Sequence, residues 1–148
     1  MKIYQGAAFG FSTIMAKAGE QLEPYLPKLV PRLYRYRFDP NPRIQSSMAS
    51  IWQALVKEQK ETVDRFECEI MEDLLTHLTF GQWRVRLSCC NAVSDLLRSR
   101  NLLPFENQVA RLWDKLILVM DDVHEGTRQA ATHAAQTLSK VCKKALET

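Results

Sequence analysis

The stretch Trp83-Arg84-Val85-Arg86-Leu87-Ser88-Cys89-Cys90-Asn91-Ala92-Val93-Ser94-Asp95-Leu96-Leu97-Arg98 carries the decisive pattern: Val85, Cys89, Ala92 and Leu96 follow one another at spacings of four, three and four. That spacing lines one face of an α-helix, the mark of an element that buries a single side. Subtracting 41 from each position number gives Ile44, Met48, Ile51 and Leu55, and subtracting 41 again gives Ile3, Ala7, Gly10 and Ile14. Adding 42 gives Thr127, Ala131, Ala134 and Leu138. The same offsets align a second family of positions, Leu29/Ile70/Leu112, Leu33/Leu74/Leu116 and Tyr34/Leu75/Ile117. Each period therefore holds two helices, a first and a second.

The recurrence predicts a helix near 2–18, the second member of one repeat, followed by helix pairs over 22–58 (22–38 with 42–58), 62–99 (62–79 with 82–99) and 104–145 (104–120 with 126–145). A period of this length with two helices in it belongs to the HEAT class, whose repeats run to about 40–47 residues. The expected fold is all-α: a HEAT-type α-solenoid of antiparallel helix pairs stacked in a right-handed superhelix, forming one segment over residues 1–148. Phe9, Phe11 and Ile14 give the first helix an apolar surface with no earlier partner, so the segment reads as cut from a longer array.

Local chemistry marks the boundaries. In Asp39-Pro40-Asn41-Pro42, Asn41 suits an N-cap and Pro42 the first helical position. Gly19, Gly81 and Gly126 fall between helices, and Pro104 opens another, where a missing N–H costs nothing. Pro24, Pro27 and Pro31 crowd one first helix, which either starts late or is kinked at Pro31; the kink is expected.

Composition bounds the function. The chain has 46% hydrophobic residues, a net charge of +3 and no long apolar leader, which places it in the cytosol or nucleus. Cys68, Cys89, Cys90 and Cys142 show neither a disulfide framework nor metal-knuckle spacing and are read as reduced and mostly buried, with Cys89 in the core. Cys90 faces another way, and nothing near it in sequence argues for reactivity. His77, His124 and His133 lack the spacing of a helical metal pair, so no metal, cofactor or catalytic residue is assigned. Gly6-Ala7-Ala8-Phe9-Gly10 lacks the lysine and preceding strand of a phosphate loop.

Three surface readings follow. Lys57, Arg98 and Lys140 occupy one position near the end of successive second helices and form a candidate protein-binding column that would meet an acidic surface. The competing explanation is that cations near helix C-termini complement the macrodipole. Arg32, Arg35 and Arg37 end a first helix and are expected in solvent. Trp52, Trp83 and Trp113 adjoin the apolar stripes and are assigned to packing between repeats in preference to binding.

HEAT arrays often carry an Asp–Arg ladder. The acidic positions here are Asp39, Phe80 and Asp122 and the basic ones Gln45, Arg86 and Arg128. Asp39 with Arg86 is the expected rung, and Phe80 breaks the acidic series.

The stretches GAAFGFSTI (6–14), LPKLVPRLYRYRFDPNPRIQ (26–45), SIWQALV (50–56), WRVRLSCCNAVSDLLR (83–98) and TLSKVC (137–142) resemble the very large HEAT-repeat adaptor and scaffold proteins of the 26S proteasome. The resemblance covers nearly the whole chain and implies a small slice of a non-enzymatic tether. Its implied partners are proteasome subunits and, through the full-length protein, motor or vesicle proteins. Its implied locations are cytoplasm and nucleus, with peripheral association at endoplasmic reticulum, endosomes or centrosome. A transport or trafficking scaffold of another kind is the alternative. A nucleic-acid-binding repeat would need a continuous basic groove, which Glu58, Asp95 and Glu147 interrupt, and no membrane insertion is expected.

Overall fold

The computed structural model describes residues 19–98 and 103–147; the helix expected at 2–18 lies outside them. A single turn, Gly19–Leu22, and a 3₁₀ turn, Glu23–Tyr25, lead into α1 (Leu26–Tyr36). Then come α2 (Pro42–Leu55), α3 (Gln59–His77) and α4 (Trp83–Arg98). A 3₁₀ segment, Leu103–Gln108, precedes α5 (Val109–Val119), and α6 (Glu125–Glu147) is last. The described residues thus form three helix pairs, α1/α2, α3/α4 and α5/α6, with no strand among them.

The prolines shape the first pair differently from expectation. Pro24 sits in the 3₁₀ turn and Pro27 in the first turn of α1, where a missing N–H is harmless, so the helix starts at Leu26 instead of 22. Helix α1 then runs through Pro31, which is buried. The break in helical geometry falls at Phe66 in α3 instead, where φ is −112° and ψ 17°. Asn41 caps α2 as expected: its side chain accepts the Arg43 N–H at 3.0 Å.

Stacking of the pairs buries both families of stripe. First helices contribute Ile70, Leu74, Leu112 and Leu116, and second helices contribute Cys89, Ala92, Leu96, Ala131, Ala134 and Leu138, all at most 1% exposed. Small residues at 89, 92, 131 and 134 let α4 and α6 lie close, and these two form the most extensive helix–helix contact. The equivalent stripe in α2, Ile44, Met48, Ile51 and Leu55, is only half-buried. Repetition of sequence does not by itself equalise burial.

Candidate protein-binding surface

Ion pairs rivet the pairs together, though not along the expected rung. Asp39 is used locally, its Oδ1 accepting the Asn41 N–H at 2.8 Å. Arg86 reaches forward to the next turn: Nε donates to Asp122 Oδ2 at 2.5 Å and Nη2 to Asp122 Oδ1 at 3.1 Å. Its Nη1 also donates to the carbonyl of Phe80 in its own turn at 2.8 Å. Arg128 repeats that half of the arrangement, donating to the carbonyls of Asp122 and Val123. The rung therefore joins the arginine of one pair to the acid of the pair that follows, the reverse of the direction expected for Asp39 and Arg86. In this direction the turn of the second pair offers Phe80, which cannot pair with Gln45.

The Asp122 turn is also a helix start. Asp122 Oδ1 accepts the His124 N–H at 2.9 Å, and His124 Nδ1 accepts the Thr127 N–H at 3.1 Å. The imidazole thereby caps α6, which requires the tautomer with a bare Nδ1. Trp83 stacks on this ring with centroids 4.1 Å apart, tying the start of α4 to the start of α6 while remaining 39% exposed. A methyl at Gly126 would approach His124 Cε1 to 3.0 Å and would have to push the capping ring aside by a few tenths of an ångström. Metal-ligand spacing passes over this histidine, although position 124 is the register equivalent of the Asn41 cap, two periods on.

The hydrogen bond from Arg86, against the opposing effect of burial and with help from the His124 N–H, holds the Asp122 carboxyl below its usual range. A depressed carboxylate stabilises the fold above the unfolded-state pKa, about 3.9 for Asp, and that contribution disappears as pH falls through the lower folded value. Glu72, held low by hydrogen bonds from Arg111 and Gln108, acts in the same direction. The melting temperature is accordingly expected to fall as pH drops below about 4. In Asp122→Asn the acid-dependent part of that fall should shrink, as followed by circular dichroism from neutral to strongly acidic pH. An unchanged profile would contradict this assignment.

The arginines that close α1 are not solvated as a group. Arg32 is exposed, but Arg35 is 5% exposed and donates from Nε to Asp73 Oδ2 of α3 at 2.8 Å. Arg37 lies over the rings of Trp52, Tyr34 and Phe38 at 4.4, 4.9 and 5.6 Å from their centroids. Burial pulls its guanidinium pKa down. Three neighbouring cations have three different environments, set by which helix or ring each one meets.

Lys57, Arg98 and Lys140 are all exposed. Helix α2 ends at Leu55, which puts Lys57 beyond it; Arg98 is the last residue of α4; and α6 continues from Lys140 to Glu147. The macrodipole acts only within the last turn, so it accounts for Arg98 and not for Lys140. Arg98 Nη2 lies 3.4 Å from His133 Nε2, so the end of α4 meets α6 here.

Lys140 also rims a groove of about 750 Å³ on the outer side of α5 and α6, whose walls include Trp113, Ile117, Met120, Ala135 and Gln136. The repeat register explains the groove. Ile117, Met120, Ala135 and Ser139 lie one period after Leu75, Leu78, Val93 and Leu97, which are all at most 1% exposed. Ile117 is 59% exposed and Met120 38%. The second pair has this face covered by the third; the third shows it open. Trp113 thus lines an open groove, whereas Trp52, at 2% exposure, is packed as expected.

Three of the cysteines, Cys68, Cys89 and Cys90, are held in the protonated form. Burial pushes the Cys90 thiol up to about 12 and Cys89 higher still, so at neutral pH both stay protonated. Cys68 is exposed, against expectation, and its thiol is also raised, by partial burial and then by Glu69 and Glu67. Among the described residues no group of three or more His, Cys, Asp or Glu is placed to hold a metal ion, and no helix is long and apolar enough to cross a membrane.

The family described as dynein axonemal assembly factor 5-like, TPR repeats, matches residues 8–145. The chain belongs to this family. Its period exceeds the roughly 34 residues of a standard tetratricopeptide repeat, so this member of the dynein axonemal assembly factor 5-like family keeps the stacked-pair architecture with longer helices or turns. The chain is 53% identical over 140 residues, 95% of its length, to the human "Proteasome adapter and scaffold protein ECM29". It is 44% identical over 158 aligned positions, 93% of its length, to the Drosophila melanogaster "Proteasome-associated protein ECM29 homolog". It is 31% identical over 148, 97% of its length, to the Saccharomyces cerevisiae "Proteasome component ECM29". The chain spans 8% of the length of each of these relatives. No solved structure matches.

Proposed function

We propose that this segment is a non-catalytic, protein-binding part of a scaffold that associates with the proteasome, and that Lys57, Arg98 and Lys140 contribute to its contact with an acidic protein surface. The observation that carries the reading is the 53% identity, sustained over 95% of the chain, to a protein named as a proteasome adapter and scaffold. The exposure of all three cations and the position of Lys140 well inside α6 support the surface assignment. In this reading the protein works in cytoplasm and nucleus. Association with motors, vesicles or endoplasmic reticulum belongs to the longer protein.

The test is capture of purified 26S proteasome on immobilised chain, beside Lys57→Glu, Arg98→Glu, Lys140→Glu. Capture that is lost in the variant and weakens with added salt is the expected result. Equal capture by both chains would remove the three cations from the interface. Absence of capture by the wild type, with helical circular dichroism intact, would refute binding through this segment.

A further inference from the structure

The two joints between the described helix pairs are built from different chemistry. At the joint between α3/α4 and α5/α6, Leu75, Leu78 and Val93 form a hydrocarbon seal and are 0% exposed. One period earlier, at the joint between α1/α2 and α3/α4, the same positions are Tyr34, Arg37 and Trp52. Tyr34 Oη reaches across to α4 and donates to Asp95 Oδ2 at 2.6 Å. Arg37 Nε and the indole Nε1 of Trp52 are buried donors with no acceptor. Asp95 acts on Arg37 through its charge, without a hydrogen bond to Nε, while burial works against the cation.

Packing differs accordingly. Helix α2 packs mainly on α1 and makes no contact with α4 to compare with that between α4 and α6, the most extensive of any helix pair. The α2 stripe remains half-buried where those of α4 and α6 are closed. Closing the α2 side of the first joint further would deepen the desolvation of a cation and two donors; opening that side would hydrate them, while the Arg35–Asp73 pair keeps α1 seated on α3. At the second joint, opening would expose Leu75, Leu78 and Val93 to water and part the Arg86–Asp122 pair, and both oppose it.

We propose that the joint between α1/α2 and α3/α4 is a flexing point of the solenoid, at which the first pair swings against the rest, and that Arg37 and Trp52 set its compliance. In a stacked array each joint is an independent local interface, so one compliant joint changes curvature without unfolding its neighbours.

Hydrogen–deuterium exchange on the whole chain tests this. In the wild type, amides within 42–55 should exchange by local opening about tenfold faster or more than those within 85–97 and 127–138. The 127–138 stretch is the stringent comparison, since it too belongs to an outermost described pair. Arg37→Leu with Trp52→Val, the residue types of the second joint, should slow exchange in 42–55 about tenfold and leave 127–138 unchanged. Equal wild-type rates in 42–55 and 127–138 would overturn the proposal whether or not the variant folds. So would a folded variant whose 42–55 amides exchange as fast as before.

Discussion

Arg86→Met is expected to lower the unfolding free energy by about 3–5 kcal/mol, because it leaves the Asp122 carboxylate buried without its cation. The two side chains are only 15% and 7% exposed, so water replaces the lost contact poorly. Asp122 also holds the His124 N–H, and His124 caps α6, so the effect extends from the ion pair into the start of the longest helix. Urea denaturation followed by circular dichroism measures it directly. Adding Asp122→Leu should recover part of the loss, since replacing a buried pair by apolar groups is far less costly than breaking it. A loss under about 1 kcal/mol for Arg86→Met would show the rung to behave as an exposed surface pair. The half-exposed Arg111–Glu72 pair supplies that benchmark.

The second large effect belongs to the core. Leu74→Ala should cost about 2–5 kcal/mol, combining lost transfer energy with a cavity. Leu74 is 0% exposed in α3, the first helix with neighbours on both sides among the described pairs. The contrasting substitution is Ile117→Ala in α5, at 59% exposure, expected to change stability by no more than about 0.5 kcal/mol. Both positions lie in the first-helix stripes, so the register treats them alike. A shift in the urea midpoint of similar size for both would mean that the α5 face is covered in solution. With domain stabilities of about 5–15 kcal/mol in general, the Leu74 change alone approaches the limit of folding.

Much of this architecture is legible from residue order. The spacing at 85, 89, 92 and 96 and its recurrence once per period define the described helices and which face of each is apolar. The Asn41–Pro42 start follows from short-range stereochemistry alone. Boundaries are less legible: α2 stops at Leu55 and α6 runs to Glu147, although the register would end both at equivalent positions. That difference changes the meaning of Lys57 and Lys140, one outside a helix and the other well within it.

Residue order dictates that two kinds of helix alternate and which face of each is apolar, because those properties depend on neighbours one or two turns away. It took the packing of helix on helix to determine that Arg86 meets Asp122 and not Asp39, that Arg35 is buried on Asp73 and that Arg37 is wedged among aromatic rings. The two ion pairs join different helix pairs, and the rings around Arg37 come from both members of its pair. The identity of such partners depends on how one helix, or one pair, stacks on the next. Equivalent positions share a register but not a neighbour, so a leucine at 78 seals one joint and an arginine at 37 leaves the other with a donor that lacks an acceptor.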